Sequence, residues 1–138
     1  MEQRTLAILK PDGVQKHVIG KIITKIEQAG FKIVAGKMVK MNKTMAEAFY
    51  RDHKGKPFYE PLVEFMTEGP SVLCVLEKEN AIEDYRALMG STDPEKAEAG
   101  TIRKDFAENI RRNAVHGSDS PENAKREIAF FFSETELL

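Results

Sequence analysis

The chain has 138 residues, enough for one ordinary domain that buries roughly two-thirds of the surface its unfolded form exposes. Hydrophobic residues at 41% and charged residues at 31% exclude a disordered chain. With 21 basic against 22 acidic residues the net charge is −1, which excludes an overall field for nucleic acid or a membrane surface and makes any anion site local.

"TLAILK" (5–10) is a short apolar run closed by Pro-Asp-Gly, and it predicts a buried strand ending in a turn. Ile19, Ile22, Ile23, Ile26 and Ala29 then mark one face of a helix stopped by Gly30. "FKIVAGKMVKM" (31–41) reads as a β-branched strand weakened at Gly36. "NKTMAEAFYRDH" offers Asn42 or Thr44 as a cap for a helix reaching about His53. "YEPLVEFM" (59–66) predicts a shorter helix, and "SVLCVLE" (71–77) is the clearest buried strand.

Asn80 is expected to cap a helix with Ala81, Ile82, Tyr85, Leu88 and Met89 inward, ended by Gly90. Residues 91–100 are polar, lack a clear period, and read as a surface loop. Ser120-Pro121-Glu122 is a helix start, with a cap, a proline at the first helical position and an acid in the first turn. The stripe Ala124, Ile128, Phe131 and Phe132 favours helix after it.

With a brief fourth strand at 114–116, this order predicts an α+β chain: the ferredoxin-like βαββαβ antiparallel sheet with helices on one face, in a single domain spanning 1–138. No stretch approaches the length of a membrane span. The single cysteine, Cys74, sits in an apolar run, reads as a small buried hydrophobe and suits a reducing cytoplasm.

Familiar phosphate loops are missing. "GVQKHVIGKI" (13–22) has six residues between its glycines and Ile22 where a P-loop needs Ser or Thr. His17, His53 and His116 have no metal-ligand spacing, so no protein-caged metal is expected. What remains is a scatter of anion-friendly groups at element ends: Lys10, Arg86, Thr92, Arg103, and Arg111-Arg112-Asn113 leading into His116. Singly, each arginine reads as a solvated surface group, and spacing does not show that they converge.

Two features of the last third point to chemistry. In "NAVHGSDS" (113–120) a histidine is followed by residues that supply flexibility, hydroxyls and charge but no packing. Gly117 is expected to allow a tight turn beside the ring, and Ser118 to bond a neighbouring carboxylate. On the following helix Glu127 points with the apolar stripe, where a carboxylate without a partner costs several kcal/mol. Two readings are open: a stripe-edge glutamate reaching water, or an acid that returns to orient His116 as a nucleophile.

"NAVHGSDS", "AILKPDGVQ" (7–15) and "GTIRKDFA" (100–107), in this order and at these separations, resemble the nucleoside diphosphate kinase family over essentially the whole chain. The resemblance implies ping-pong transfer of the γ-phosphate from a nucleoside triphosphate such as ATP to a nucleoside diphosphate through a phosphohistidine. It implies His116 as nucleophile through Nδ1, oriented by Glu127 and Ser118, with Tyr50 beside it. Lys10 and Asn113 match contacts to the ribose 3′-hydroxyl and nearby phosphate oxygens. His53, Arg86, Thr92 and Arg103 match phosphate-binding positions. Phe58 matches the base-stacking position, with Ile110 opposite where valine is frequent. Mg²⁺ is implied as a cofactor carried by the nucleotide phosphates, not by a protein site.

The resemblance also implies a cytoplasmic homo-oligomer, tetramer or hexamer, built on a common dimer, with no nucleic acid or membrane partner required. Ala99 stands where many eukaryotic members have proline before the glycine, which predicts a less rigid loop at subunit contacts. Ending at Leu138, without the eukaryotic C-terminal extension, the chain leaves the tetramer open. The competing classes are a non-catalytic ferredoxin-like nucleotide-binding module and a histidine phosphocarrier between proteins. The first predicts stacking aromatics on strands, which 5–10 and 71–77 lack. The second gives Phe58 and Lys10 no task.

Overall fold

The computed structural model describes residues 2–138. Four strands form its sheet: β1 (Glu2–Leu9), β2 (Lys32–Val39), β3 (Ser71–Glu79) and β4 (Val115–Gly117). Their order is β2-β3-β1-β4, with every neighbouring pair antiparallel. The helices are α1 (Pro11–Gln15), α2 (Ile19–Gln28), α3 (Lys43–Phe49), α4 (Tyr59–Met66), α5 (Ala81–Met89), α6 (Ile102–Phe106) and α7 (Pro121–Phe131). Short 3-10 turns at Arg51–His53 and Glu134–Glu136 complete the regular structure. The α+β antiparallel sheet is the one the sequence predicts.

The placement of helices goes further than the expectation of a single covered face. Ala7, Leu9, Cys74 and Leu76 pack with residues of α2, α5 and α6. Leu6, Ile8, Leu73 and Val75 pack on the opposite face with residues of α3, α4 and α7. One-sided cover therefore describes α2 and α5, while three further helices close the second face. The cause is legible in the central strands: "LAIL" and "VLCVL" are apolar at consecutive positions, and alternate side chains point to opposite faces. A strand without a polar face needs cover on both sides.

Several local expectations change. The Pro-Asp-Gly turn is the start of α1, with Pro11 at its first position. The helix expected to reach His53 is capped by Asn42, whose Oδ1 accepts from the Met45 N–H at 2.8 Å, but it yields to the 3-10 turn after Phe49. Asn80 is the N-cap residue of α5, but it adopts a left-handed conformation and its side chain makes no capping bond; Gln3 from β1 accepts the Ile82 N–H instead at 3.1 Å. Helix α6, capped by Thr101, went unforeseen because five residues are too few to show a period. Among the described residues no helix is long and apolar enough to cross a membrane.

Candidate active site

Strand β4 is three residues long and pairs with the end of β1, setting His116 opposite Ile8. Its side chain leaves the sheet toward α7, where Ser120 accepts the Asn123 N–H at 3.1 Å and fixes the helix start. Two turns into α7, Glu127 is only 6% exposed. Glu127 Oε1 lies 2.8 Å from His116 Nε2 and accepts the Ser118 hydroxyl at 2.9 Å. Ser118 Oγ in turn accepts the Leu6 N–H at 3.2 Å. Of the two readings of Glu127, the orienting acid is the one its burial and partners match. A carboxylate accepting at Nε2 places the ring proton there and the lone pair on Nδ1. Phe49 packs edge-on against the imidazole, with centroids 5.9 Å apart.

Gly117 has a different reason from the turn expected of it. A Cβ at this position would lie 2.6 Å from Tyr85 Cδ2 and 2.8 Å from Met89 Cε. Only a hydrogen fits between β4 and α5.

His116 opens into a cleft of about 360 Å³ whose walls include Tyr50, His53, Arg86, Thr92 and Arg103. These candidates come from four separate segments of the chain, and the fold brings them together. Lys56 and Arg126 add positive charge to the walls, and Asp52 and Asp119 add carboxylates. Asp119 accepts from Asn123 Nδ2 at 2.6 Å, which holds its carboxyl below the ordinary aspartate range. Tyr50 is buried and its ring stacks on His53 at 6.3 Å. Burial, and then the charge of Glu127, push its phenol well above the ordinary tyrosine value. Among the described residues, Tyr50 Oη and His53 Nδ1 are buried polar atoms without a hydrogen-bond partner.

Arg103 has a double setting. It lines the cleft, yet its guanidinium donates to the carbonyls of Val115 at 2.9 Å, Gly90 at 3.1 Å and Asn113 at 3.4 Å. It therefore also ties the segment before His116 to the end of α5. Lys10 and Asn113 form a buried pair, Nζ to Oδ1 at 2.9 Å, while Asn113 Nδ2 donates to the Ile110 carbonyl at 2.8 Å. Burial first, and then the charge of Arg103, bring the Lys10 ammonium down to about 8; Asp12 acts in the opposite direction.

Phe58 and Ile110 lie on the flanks, 42% and 59% exposed. Phe58 reaches the cleft through His53, with ring centroids 5.2 Å apart. Ile110 borders a larger, more open groove of about 760 Å³ between its own loop and α4, which starts just after Phe58.

Sequence reasoning missed Asp12, Phe49, Asp119 and Arg126. Arg126 left a signal as the charge beside Glu127 at the stripe edge; its Nη2 sits 3.6 Å from Asp52 and 3.9 Å from Glu127. Phe49 left none, because an aromatic on a helix reads first as core.

Comparison with known proteins agrees along the whole chain. A sequence profile described as nucleoside diphosphate kinase matches residues 3–137. A nucleoside diphosphate kinase of Psychromonas ingrahamii is 58% identical over 135 residues, covering 98% of this chain and 94% of its own. One from Anaeromyxobacter sp. (strain Fw109-5) is also 58% identical over 135 residues, covering 98% and 92%. Among solved structures, the Aquifex aeolicus nucleoside diphosphate kinase superposes with a TM-score of 0.98 at 44% identity, covering all of both chains. A halophilic nucleoside diphosphate kinase from Halobacterium salinarum, solved in complex with CDP, gives 0.95 at 41% identity over 100% of this chain and 92% of the other. Matched in sequence over residues 3–137 and in fold over its full length, the chain belongs to the nucleoside diphosphate kinase family of phosphotransferases.

Proposed function

We propose that this chain, acting as a single domain over residues 1–138, performs the family's transfer of a terminal phosphate from a nucleoside triphosphate to a nucleoside diphosphate by a ping-pong route through His116. The observation that supports it most is the buried Ser118–Glu127–His116 relay, which fixes the proton on Nε2 and leaves the Nδ1 lone pair for attack. As the bond from Nδ1 to phosphorus forms, the bond from phosphorus to the bridging oxygen breaks, and the nucleoside diphosphate leaves with that electron pair. The ring gains positive charge, which the Glu127 carboxylate offsets. No proton needs to move. A second diphosphate then reverses the step.

Arg86, Arg103, Thr92 and His53 serve the phosphates in this reading, Lys10 and Asn113 the ribose 3′-hydroxyl and adjacent phosphate oxygens, and Tyr50 packs beside the nucleophile. The cleft walls carry Lys56, Arg86, Arg103 and Arg126 against three carboxylates, of which Asp119 is bonded to Asn123 and Glu127 to His116 and Ser118, and the cations with Thr92 and His53 form a donor set suited to a polyphosphate. Mg²⁺ would accordingly be brought by the nucleotide rather than held by a protein site, and would supply neutralisation of phosphate charge. The chain works in the cytoplasm, which its single buried thiol suits, with no nucleic acid or membrane partner required. It assembles as a homo-oligomer, tetramer or hexamer on a common dimer; edge strand β2, with Met38 58% exposed, is available for such contacts.

Glu127 orients and polarises His116 without taking its proton. Supporting groups of this kind contribute about 10²-fold. Glu127→Gln should therefore slow phosphorylation by about that factor in single-turnover measurements while leaving a clear rate. Wild-type speed would remove Glu127 from the reaction.

The test of the whole reading is transfer in two separated stages. Protein labelled by γ-labelled ATP and freed of nucleotide should pass the label to an added nucleoside diphosphate with no other protein present. A phosphocarrier would keep its label until a protein acceptor arrived, and a binding module would never take it. The same assay reads base selectivity. Phe58 and Ile110 offer apolar surface for a base face, and stacking is worth roughly 1–3 kcal/mol for any base. The Halobacterium relative holds CDP, and cytosine is expected among the bases accepted here. kcat/KM for adenine, guanine, cytosine and uracil diphosphates should differ by about tenfold, and Phe58→Ala should weaken all four alike. A preference of several orders of magnitude would instead require readout of the base edge.

A further inference from the structure

We propose that Asp12 is a positioning residue of the transfer reaction: its carboxylate fixes the strained Ala114 peptide just before β4, and its charge acts on buried Lys10, whose own backbone N–H holds the carbonyl of the same residue. The proposal rests on the reading that Lys10 meets the nucleotide. Ala114 is fully buried and has φ of 72°, at the centre of a γ-turn in which the Val115 N–H donates to the Asn113 carbonyl at 2.9 Å, a strained conformation that a residue with a Cβ adopts only when its surroundings impose it. Both polar groups of that residue are held by the segment after β1. Its N–H donates to Asp12 Oδ2 at 3.0 Å, and its carbonyl accepts the Lys10 N–H at 2.8 Å. The neighbouring residues are clamped from α6 through Arg103, which donates to the carbonyls of Asn113 and Val115. The turn that sets the start of β4, and with it His116, is therefore fixed from α1 and from α6 together.

Asp12 is 2% exposed, and its second oxygen, Oδ1, is buried without a hydrogen-bond partner among the described residues. A carboxylate so placed is supported electrostatically or not at all. The charges acting on Lys10 are Asp12 from α1 and Arg103 from α6, of opposite sign, while neutral Asn113 accepts its hydrogen bond. Without Asp12, burial and Arg103 act on Lys10 unopposed. Because the ammonium is brought down to about 8, its protonation is sensitive near neutral pH, and the neighbour that raises it matters. The sign is fixed: in the free enzyme Lys10 is charged below about 8 and loses its charge as pH rises through that value. Removing Asp12 moves this loss to lower pH.

The test compares pH profiles of kcat/KM. Asp12→Asn keeps an oxygen for the Ala114 N–H but removes the charge, so the alkaline limb should move down by about one pH unit, a roughly tenfold loss at a fixed pH above it. Asp12→Ala removes the acceptor as well and should lower kcat/KM at every pH. Adding Ala114→Gly, which needs no force to hold φ of 72°, should recover part of that general loss without returning the limb. A wild-type limb in Asp12→Asn, or full activity of Asp12→Ala throughout, overturns the proposal. Lys10→Ala separates this from failure of the underlying reading. If that variant keeps the limb, Lys10 does not meet the nucleotide; if it loses the limb and Asp12→Asn does not shift it, Asp12 alone is misassigned.

Discussion

His116→Ala is expected to abolish the acid-labile, alkali-stable label that γ-labelled ATP should leave on the protein, and to lower kcat for phosphate transfer by several orders of magnitude. If His116 is the covalent carrier, its loss removes the route itself, and a cleft that still bound nucleotides would have no nucleophile to divide the reaction into two steps. Two other histidines compete for the assignment. His17 is exposed, with φ of 60°, on the turn after α1, outside the cleft lining. His53 is the serious rival, because it lines the cleft and its buried Nδ1 has no partner among the described residues. Among the described residues no carboxylate bonds it as Glu127 bonds His116, and its ring packs against those of Tyr50 and Phe58. His53→Ala should therefore weaken nucleotide binding yet still label. The fold should survive His116→Ala, since the side chain is part-exposed and the strand that carries it is only three residues long. Labelling at wild-type level in His116→Ala would move the reaction to another residue.

That contrast between the histidines also marks how far the sequence could be read. His116 stood out because the residues after it cannot pack, a local property visible in a single stretch. Glu127 was half legible: helical spacing put it on the buried side of α7, but only the fold supplies the Ser118 hydroxyl and the imidazole that balance its burial. The strands and long helices were readable from apolar periodicity. The double-sided cover of the sheet is written in "LAIL" and "VLCVL", which have no polar face, whereas the ferredoxin-like element order implies cover on one face only. Convergence of Arg86, Thr92 and Arg103 was invisible to spacing, since they come from separate segments joined only by the packing of α5 and α6 around β4. Asp12 was hidden behind the ordinary turn chemistry of Pro-Asp-Gly. Its partner, Ala114, lies more than a hundred residues away in sequence and gives no sign of its backbone conformation. What escaped is mostly of this kind: a polar group whose purpose is set by a distant peptide.

Gly117→Ala is expected to cost both stability and most of the activity, although it adds one methyl group and touches no substrate. The new Cβ would sit 2.6 Å and 2.8 Å from ring carbons of Tyr85 and 2.8 Å from Met89 Cε. Met89 ends in a flexible thioether that can turn aside, but the Tyr85 ring is fully buried and packs edge-on against Phe31 at 5.9 Å. The ring has little room to retreat, so β4 has to move away from α5. Overpacking of this size costs typically 1–3 kcal/mol, read as a lower denaturation midpoint. The larger effect falls on the neighbours. His116 precedes Gly117 and Ser118 follows it, so a shift of the strand changes both ends of the relay to Glu127. A misplacement of about 1 Å can cost roughly 10²-fold in a reaction that depends on in-line attack. Phosphorylation of Gly117→Ala should therefore fall by about that factor under conditions where circular dichroism shows a folded chain. Tyr85→Leu in the same chain removes the opposing ring and should recover part of the rate, even though it leaves a cavity and lowers stability further. Rate and stability then move in opposite directions between the single and double variants, which general unfolding could not produce. A Gly117→Ala protein with wild-type phosphorylation would mean that β4 absorbs the methyl group without moving His116.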